Sequence, residues 1–105
     1  MSDNLPISEQ YRLIAKRWAD EDAAATLLED SKSAVLAAMM SAKGDIPVSK
    51  AEMQSKASPE WKEYVQKTVE ARRDASLLKV EVEFLKMRFQ EEQSANANRR
   101  AEMRL

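Results

Sequence analysis

The sequence predicts an all-α protein: two long helices in an antiparallel helical hairpin, a short helix in the linker, and a second helix whose heptad coiled coil oligomerises into a bundle. Three observations carry this. One glycine and three prolines among 105 residues leave long stretches without a helix breaker. Residues 8–43 carry one apolar stripe at three- and four-residue steps, and residues 61–89 carry an unbroken heptad pattern. The length suits a single helical domain, 1–105. A chain of this size buries only ~60–65% of its unfolded surface, so a partner subunit would add needed burial.

The first helix is expected over 8–43, with Ser8 as N-cap, Glu9 in the first turn and Gly44 just past the end. Its stripe is Tyr11, Ile14, Trp18, Ala25, Leu28, Val35 and Met39, interrupted at Glu21 and Lys32. Alanine near the middle makes it narrow, which favours close helix approach and gives little burial energy. Residues 44–58 form the linker, opened by Gly44-Asp45 and Pro47. Within it Ser49-x-x-Glu52 reads as a capping box and Val48 with Met53 as a hydrophobic staple, which predicts a short helix over about 50–56.

Ser58-Pro59-Glu60 restarts the chain as a coiled-coil helix over 59–93: an N-cap, a proline with its φ already set, and an acid beside the positive dipole end. Trp61, Tyr64, Thr68, Ala71, Ala75, Leu78, Val82, Leu85 and Phe89 then occupy successive a and d positions. Past Phe89 the register meets Glu92, Asn96 and Arg99, so the seam stops and the polar, Arg-bearing tail 94–105 is expected to fray. A second set, Leu77, Val80, Phe84 and Met87, lies in c and f positions, so this helix is apolar on two faces. The first helix can cover only one of them. Burying a large apolar side chain contributes ~1.5–3 kcal/mol, so the other face calls for a neighbour, and a second copy is the commonest kind.

The expected oligomer interface therefore comprises Trp61, Tyr64, Leu77, Leu78, Val80, Val82, Phe84, Leu85, Met87 and Phe89. Flanking charges tilt a self-paired a/d seam toward a parallel dimer. Asp74 then meets the partner's Lys79 and Glu81 the partner's Lys86, against one Lys67–Arg72 approach. Antiparallel pairing about Leu78 would oppose Asp74 to Glu81 and Lys67 to Arg88.

Chemistry finds little to work with. Without cysteine or histidine there is no disulfide, thiolate nucleophile, zinc finger or imidazole base, and one glycine cannot build a phosphate-binding loop. Asp20, Glu21 and Asp22 are consecutive and splay about 100° apart on a helix, so they cannot chelate one ion together. The expectation is a chain that is not an enzyme and takes no cofactor. Net charge is −1 overall, but −4 over residues 1–31 and +3 over the remainder. Asp20, Glu21, Asp22, Glu29 and Asp30 form a candidate acidic contact surface; Arg99, Arg100 and Arg104 form a candidate partner or nucleic-acid contact. With no membrane-length apolar run and a polar start, Met1-Ser2-Asp3-Asn4, the expected location is the cytoplasm.

Residues 78–105, LKVEVEFLKMRFQEEQSANANRRAEMRL, resemble the C-terminal segment of small helical proteins encoded by tailed phages and prophages. In that group a heptad helix leads into an aromatic step, here Arg88-Phe89, and a polar stretch ending as Arg100-Ala101-Glu102-Met103 does here. Such genes often lie near those for single-strand annealing or other phage recombination proteins. The resemblance therefore implies an accessory role in DNA recombination or processing in a bacterial host's cytoplasm, with the tail as a recognition element. It brings no catalytic residues.

The functional expectation is a non-enzymatic interaction protein whose partners are itself, as a homodimer, and another phage or host protein. One alternative is a small phage inhibitor that lays the acidic strip in a basic groove of a host nucleic-acid-binding enzyme. Another is a dimer that contacts DNA directly through paired basic tips.

Overall fold

A computed structural model describes residues 4–104. Met1, Ser2 and Asp3 of the polar start, and Leu105 at the end of the tail, lie outside the described residues. The all-α expectation holds: α1 (Ile7–Asp30), α2 (Lys32–Ser41), α3 (Val48–Ala57) and α4 (Pro59–Met103), with no strand among the described residues.

The expected single helix over 8–43 is divided at Ser31, whose φ of −84° and ψ of −5° unwind the backbone locally. Hydrogen bonding bridges the break, since the Ser31 amide donates to the Leu27 carbonyl at 3.0 Å and the Val35 amide to the Ser31 carbonyl at 2.9 Å. Asp30 and Ser31 are both weak helix formers, because their side chains compete for backbone groups, so the division falls where intrinsic helix preference is low. At the start, Pro6 replaces Ser8 as the cap. The amides of Glu9 and Gln10 both donate to its carbonyl at 3.0 Å, and Ser8 lies inside the first turn.

The far end behaves as glycine requires. The last turn of α2 tightens, with the Lys43 amide on the Met40 carbonyl (3.1 Å) and the Gly44 amide on the Ser41 carbonyl (3.3 Å). Gly44 then turns the chain at φ +83°, where a side chain would be strained. The linker helix is longer than expected. Pro47, at φ −55° and ψ 143°, launches α3 with the Ala51 amide on its carbonyl at 2.9 Å, so Ser49 is already helical and the capping box does not form. Glu52 instead reaches forward to Lys56 at 2.8 Å, and both staple residues, Val48 and Met53, stay exposed.

Ser58 caps α4 as its sequence predicts. Its backbone is extended, its Oγ accepts the Trp61 amide at 3.3 Å, and its hydroxyl donates to the Ser55 carbonyl at 2.6 Å. The helix then runs through the tail to Met103, where fraying was expected; Gln, Glu, Ala and Arg sustain it by intrinsic propensity, although every residue described beyond Phe89 is exposed.

The chain divides into two compact units, Met1–Asp20 with Ala75–Leu105, and Glu21–Asp74. In the first, Ala75, Leu78 and Leu85 are buried, and Ile7, Tyr11, Ile14, Trp18, Val82 and Phe89 are half-buried. In the second, Ala25, Ala51, Ser55 and Trp61 form the core. Trp61 stacks on Tyr64 at a ring separation of 5.7 Å, and the Lys32 ammonium sits 5.9 Å from the Trp61 ring centre. That cation–π contact accounts for a lysine interrupting the apolar stripe. Thr68, the one polar member of the heptad seam, turns its hydroxyl back to the Tyr64 carbonyl at 2.9 Å.

Ser55 is fully buried and its hydroxyl has no hydrogen-bond partner. An unpaired buried hydroxyl forfeits its hydration without return, so Ser55→Ala should stabilise the fold by about 1–2 kcal/mol. Urea unfolding checks this; a lower midpoint for the variant would contradict it.

Candidate interaction surfaces

The residues expected at an oligomer interface separate into two sets. Trp61, Leu78 and Leu85 are 5–7% exposed within the single chain, and Tyr64, Val82 and Phe89 are half-buried. These six members of the heptad seam are thus wholly or partly withdrawn from water within the single chain. Leu77, Val80, Phe84 and Met87 remain 57%, 63%, 53% and 56% exposed. Their +3, +4, +3 spacing aligns them along one side of α4, and the Arg88 guanidinium lies 6.0 Å from the Phe84 ring centre at the edge of this strip. Beyond Met87 the strip continues as a shallow groove of about 510 Å³, lined by Met87, Gln90, Glu91, Ser94, Ala95 and Asn98.

The acidic strip is not a uniform solvated face. Asp22, Thr26 and Glu29 recur at four- and three-residue steps on α1, and Arg72 of α4 binds all three. Its guanidinium forks onto Glu29, with Nε to Oε2 at 2.9 Å and Nη2 to Oε1 at 2.8 Å. Nη1 reaches Asp22 Oδ1 at 2.6 Å, and Nη2 also donates to Thr26 Oγ1 at 3.0 Å. A bidentate arginine fixes direction as well as charge, so this contact sets the register between the two helical segments. About two turns earlier on α4, the Tyr64 hydroxyl donates to the Leu28 carbonyl in the last turn of α1, where helix carbonyls run out of partners. Asp20 and Asp30 stay exposed, and Glu21 is half-buried.

Arg72 was missed as a functional residue because its role needs the pairing of two distant segments. The only local trace is the Asp22, Thr26, Glu29 spacing itself. Arg99, Arg100 and Arg104 are exposed at the end of α4, and the Arg100 Nε lies 3.4 Å from the Asn96 carbonyl. Arg100 and Arg104 are one helical turn apart, with Arg99 about 100° away, so the three do not form a single stripe.

Family models, curated proteins and solved structures hold no match to this chain. Among the described residues no group of three acidic, histidine or cysteine side chains is placed to hold a metal ion, and no helix is long and apolar enough to cross a membrane.

Hydrogen bonding from Arg72, followed by its charge, holds the Glu29 carboxyl below the usual carboxylate range, and Glu29 then Asp22 raise the guanidinium above its ordinary value. A carboxylate whose folded-state pKa is depressed contributes stability above its unfolded pKa and loses it as pH falls through the folded value. The arginine stays charged throughout that window. Thermal melts between about pH 7 and about pH 3 should therefore show a steeper loss for the unmodified chain than for Glu29→Gln. Parallel losses would reject the contribution.

Proposed function

We propose that this chain is a non-enzymatic interaction protein that forms a homodimer through the exposed side of α4 and serves as an accessory factor in a phage or prophage DNA recombination or processing system of the bacterial cytoplasm. The observation that carries the first part is the solvent exposure of Leu77, Val80, Phe84 and Met87 in one strip. Four large apolar side chains aligned in this way mark an association surface far more often than a solvated face. An antiparallel helical hairpin fits the contacts inside the second unit: Asp22, Leu28 and Lys32 meet Arg72, Tyr64 and Trp61, so positions rise on one segment as they fall on the other.

The accessory role is supported by the resemblance of residues 78–105 to phage-encoded helical proteins. In this reading the exposed helical end bearing Arg99, Arg100 and Arg104 contacts the second protein. An acidic inhibitor surface draws less support, because Asp22 and Glu29 already serve Arg72.

Multi-angle light scattering at micromolar concentration should give a dimer mass for the unmodified chain. A chain carrying Val80→Asp and Phe84→Asp should run as a monomer with unchanged helix content, since both residues are exposed in the single chain. A monomer mass for the unmodified chain would overturn the reading. Replacing Arg99, Arg100 and Arg104 together by glutamine should leave the dimer intact and abolish capture of a phage recombination protein; salt-sensitive retention of single-stranded DNA by the tail would assign direct nucleic-acid contact instead.

A further inference from the structure

The exposed strip of α4 reads the same in both directions. From Val69 through Arg73, Leu77, Val80, Phe84, Met87 and Glu91 to Ala95 the steps are 4, 4, 3, 4, 3, 4 and 4. The pattern is symmetric about the level of Val82. Its chemistry is complementary across that centre: Val80 mirrors Phe84, Leu77 mirrors Met87, and Arg73 mirrors Glu91.

We infer that two copies pair antiparallel, α4 against α4, about a two-fold axis level with Val82. This rests on the self-association proposed above and supplies its geometry. A two-fold axis perpendicular to a helix carries position 82 − n onto the partner's 82 + n, and each contact occurs twice. Val80 then packs on the partner's Phe84, and Leu77 on the partner's Met87. Arg73 reaches the partner's Glu91, four residues beyond the apolar centre at either end.

The groove lined by Met87, Glu91 and Ala95 receives the ridge of the partner's Leu77, Arg73 and Val69, the last 62% exposed in the single chain. Ridge into groove is the ordinary way for two helices to pack. In a parallel, in-register pair the same strip would set Arg73 on the partner's Arg73 and Glu91 on the partner's Glu91, like charge on like charge. Neither Arg73 nor Glu91 has an ion-pair partner within the chain among the described residues. Arg72, one residue earlier, is fully engaged.

The absence of native cysteine makes the test direct. Leu77→Cys and Met87→Cys variants of the full chain are prepared separately, then oxidised alone and as an equimolar mixture. Both positions are exposed, so the fold is retained. Antiparallel pairing places each position about 15 Å along the helix from its own copy, beyond the roughly 4.4–6.8 Å that a disulfide spans between Cα atoms. The mixture should therefore give a disulfide dimer containing one chain of each kind, and neither variant alone should.

Self-crosslinking of either single variant as readily as the mixture would show parallel pairing and overturn the inference while leaving self-association intact. A dimer mass by light scattering with no crosslink in the mixture would assign association to another surface and overturn it as well. A monomer mass would remove the reading beneath it. In a second arm, Arg73→Glu and Glu91→Arg should each raise the dimer dissociation constant several-fold, and the double variant should restore it. If neither single variant weakens the dimer, the charge pairing is refuted.

Discussion

The structure is governed by a limit on coverage. Between Leu77 and Phe89 the long helix α4 presents large apolar side chains in two directions, and the remainder of one chain reaches only one of them. The inner set, Leu78 and Leu85 with Val82 and Phe89, is withdrawn from water. The outer set of Leu77, Val80, Phe84 and Met87 is not. Each unit has an alanine among its buried residues, Ala75 in the first and Ala25 in the second, and little apolar area to spare. The fold's unmet burial and its proposed activity are therefore the same surface.

Polar contacts supply the positional detail that a narrow, alanine-rich seam leaves open. Alanine permits approach and discriminates poorly between neighbouring registers. In the second unit the register is set instead by the fork of Arg72 on Glu29 and Asp22, by the Tyr64 hydroxyl on the Leu28 carbonyl, and by Lys32 over Trp61. Each links residues more than 25 positions apart, and each has a directional requirement that apolar packing lacks.

What was legible in the sequence was what acts over a few residues. The Ser58 cap, the Gly44 turn and the helical character of both long stretches depend on local backbone chemistry. Heptad spacing also separated the inner face from the outer one. Less legible were competitions between adjacent signals. Pro47 started α3 before Ser49 could cap it, and Pro6 started α1 before Ser8. The polar tail kept its helix through propensity, without a packed seam to announce it. Least legible were the long-range polar contacts, because Arg72 could be assigned to Asp22 and Glu29 only once the pairing of α1 with α4 was in hand.

Arg72 and Arg73 are chemically identical neighbours set about 100° apart around one helix. The first is committed to its own chain through two carboxylates, and the second points away from that network with no ion pair among the described residues. In the proposed dimer, cohesion within the subunit and recognition between subunits therefore fall to separate side chains. The charge at position 73 can change sign through evolution, or by design, without disturbing the clamp that keeps the subunit folded. A lineage of such proteins could acquire new pairing specificities one residue at a time, each tested on an intact scaffold.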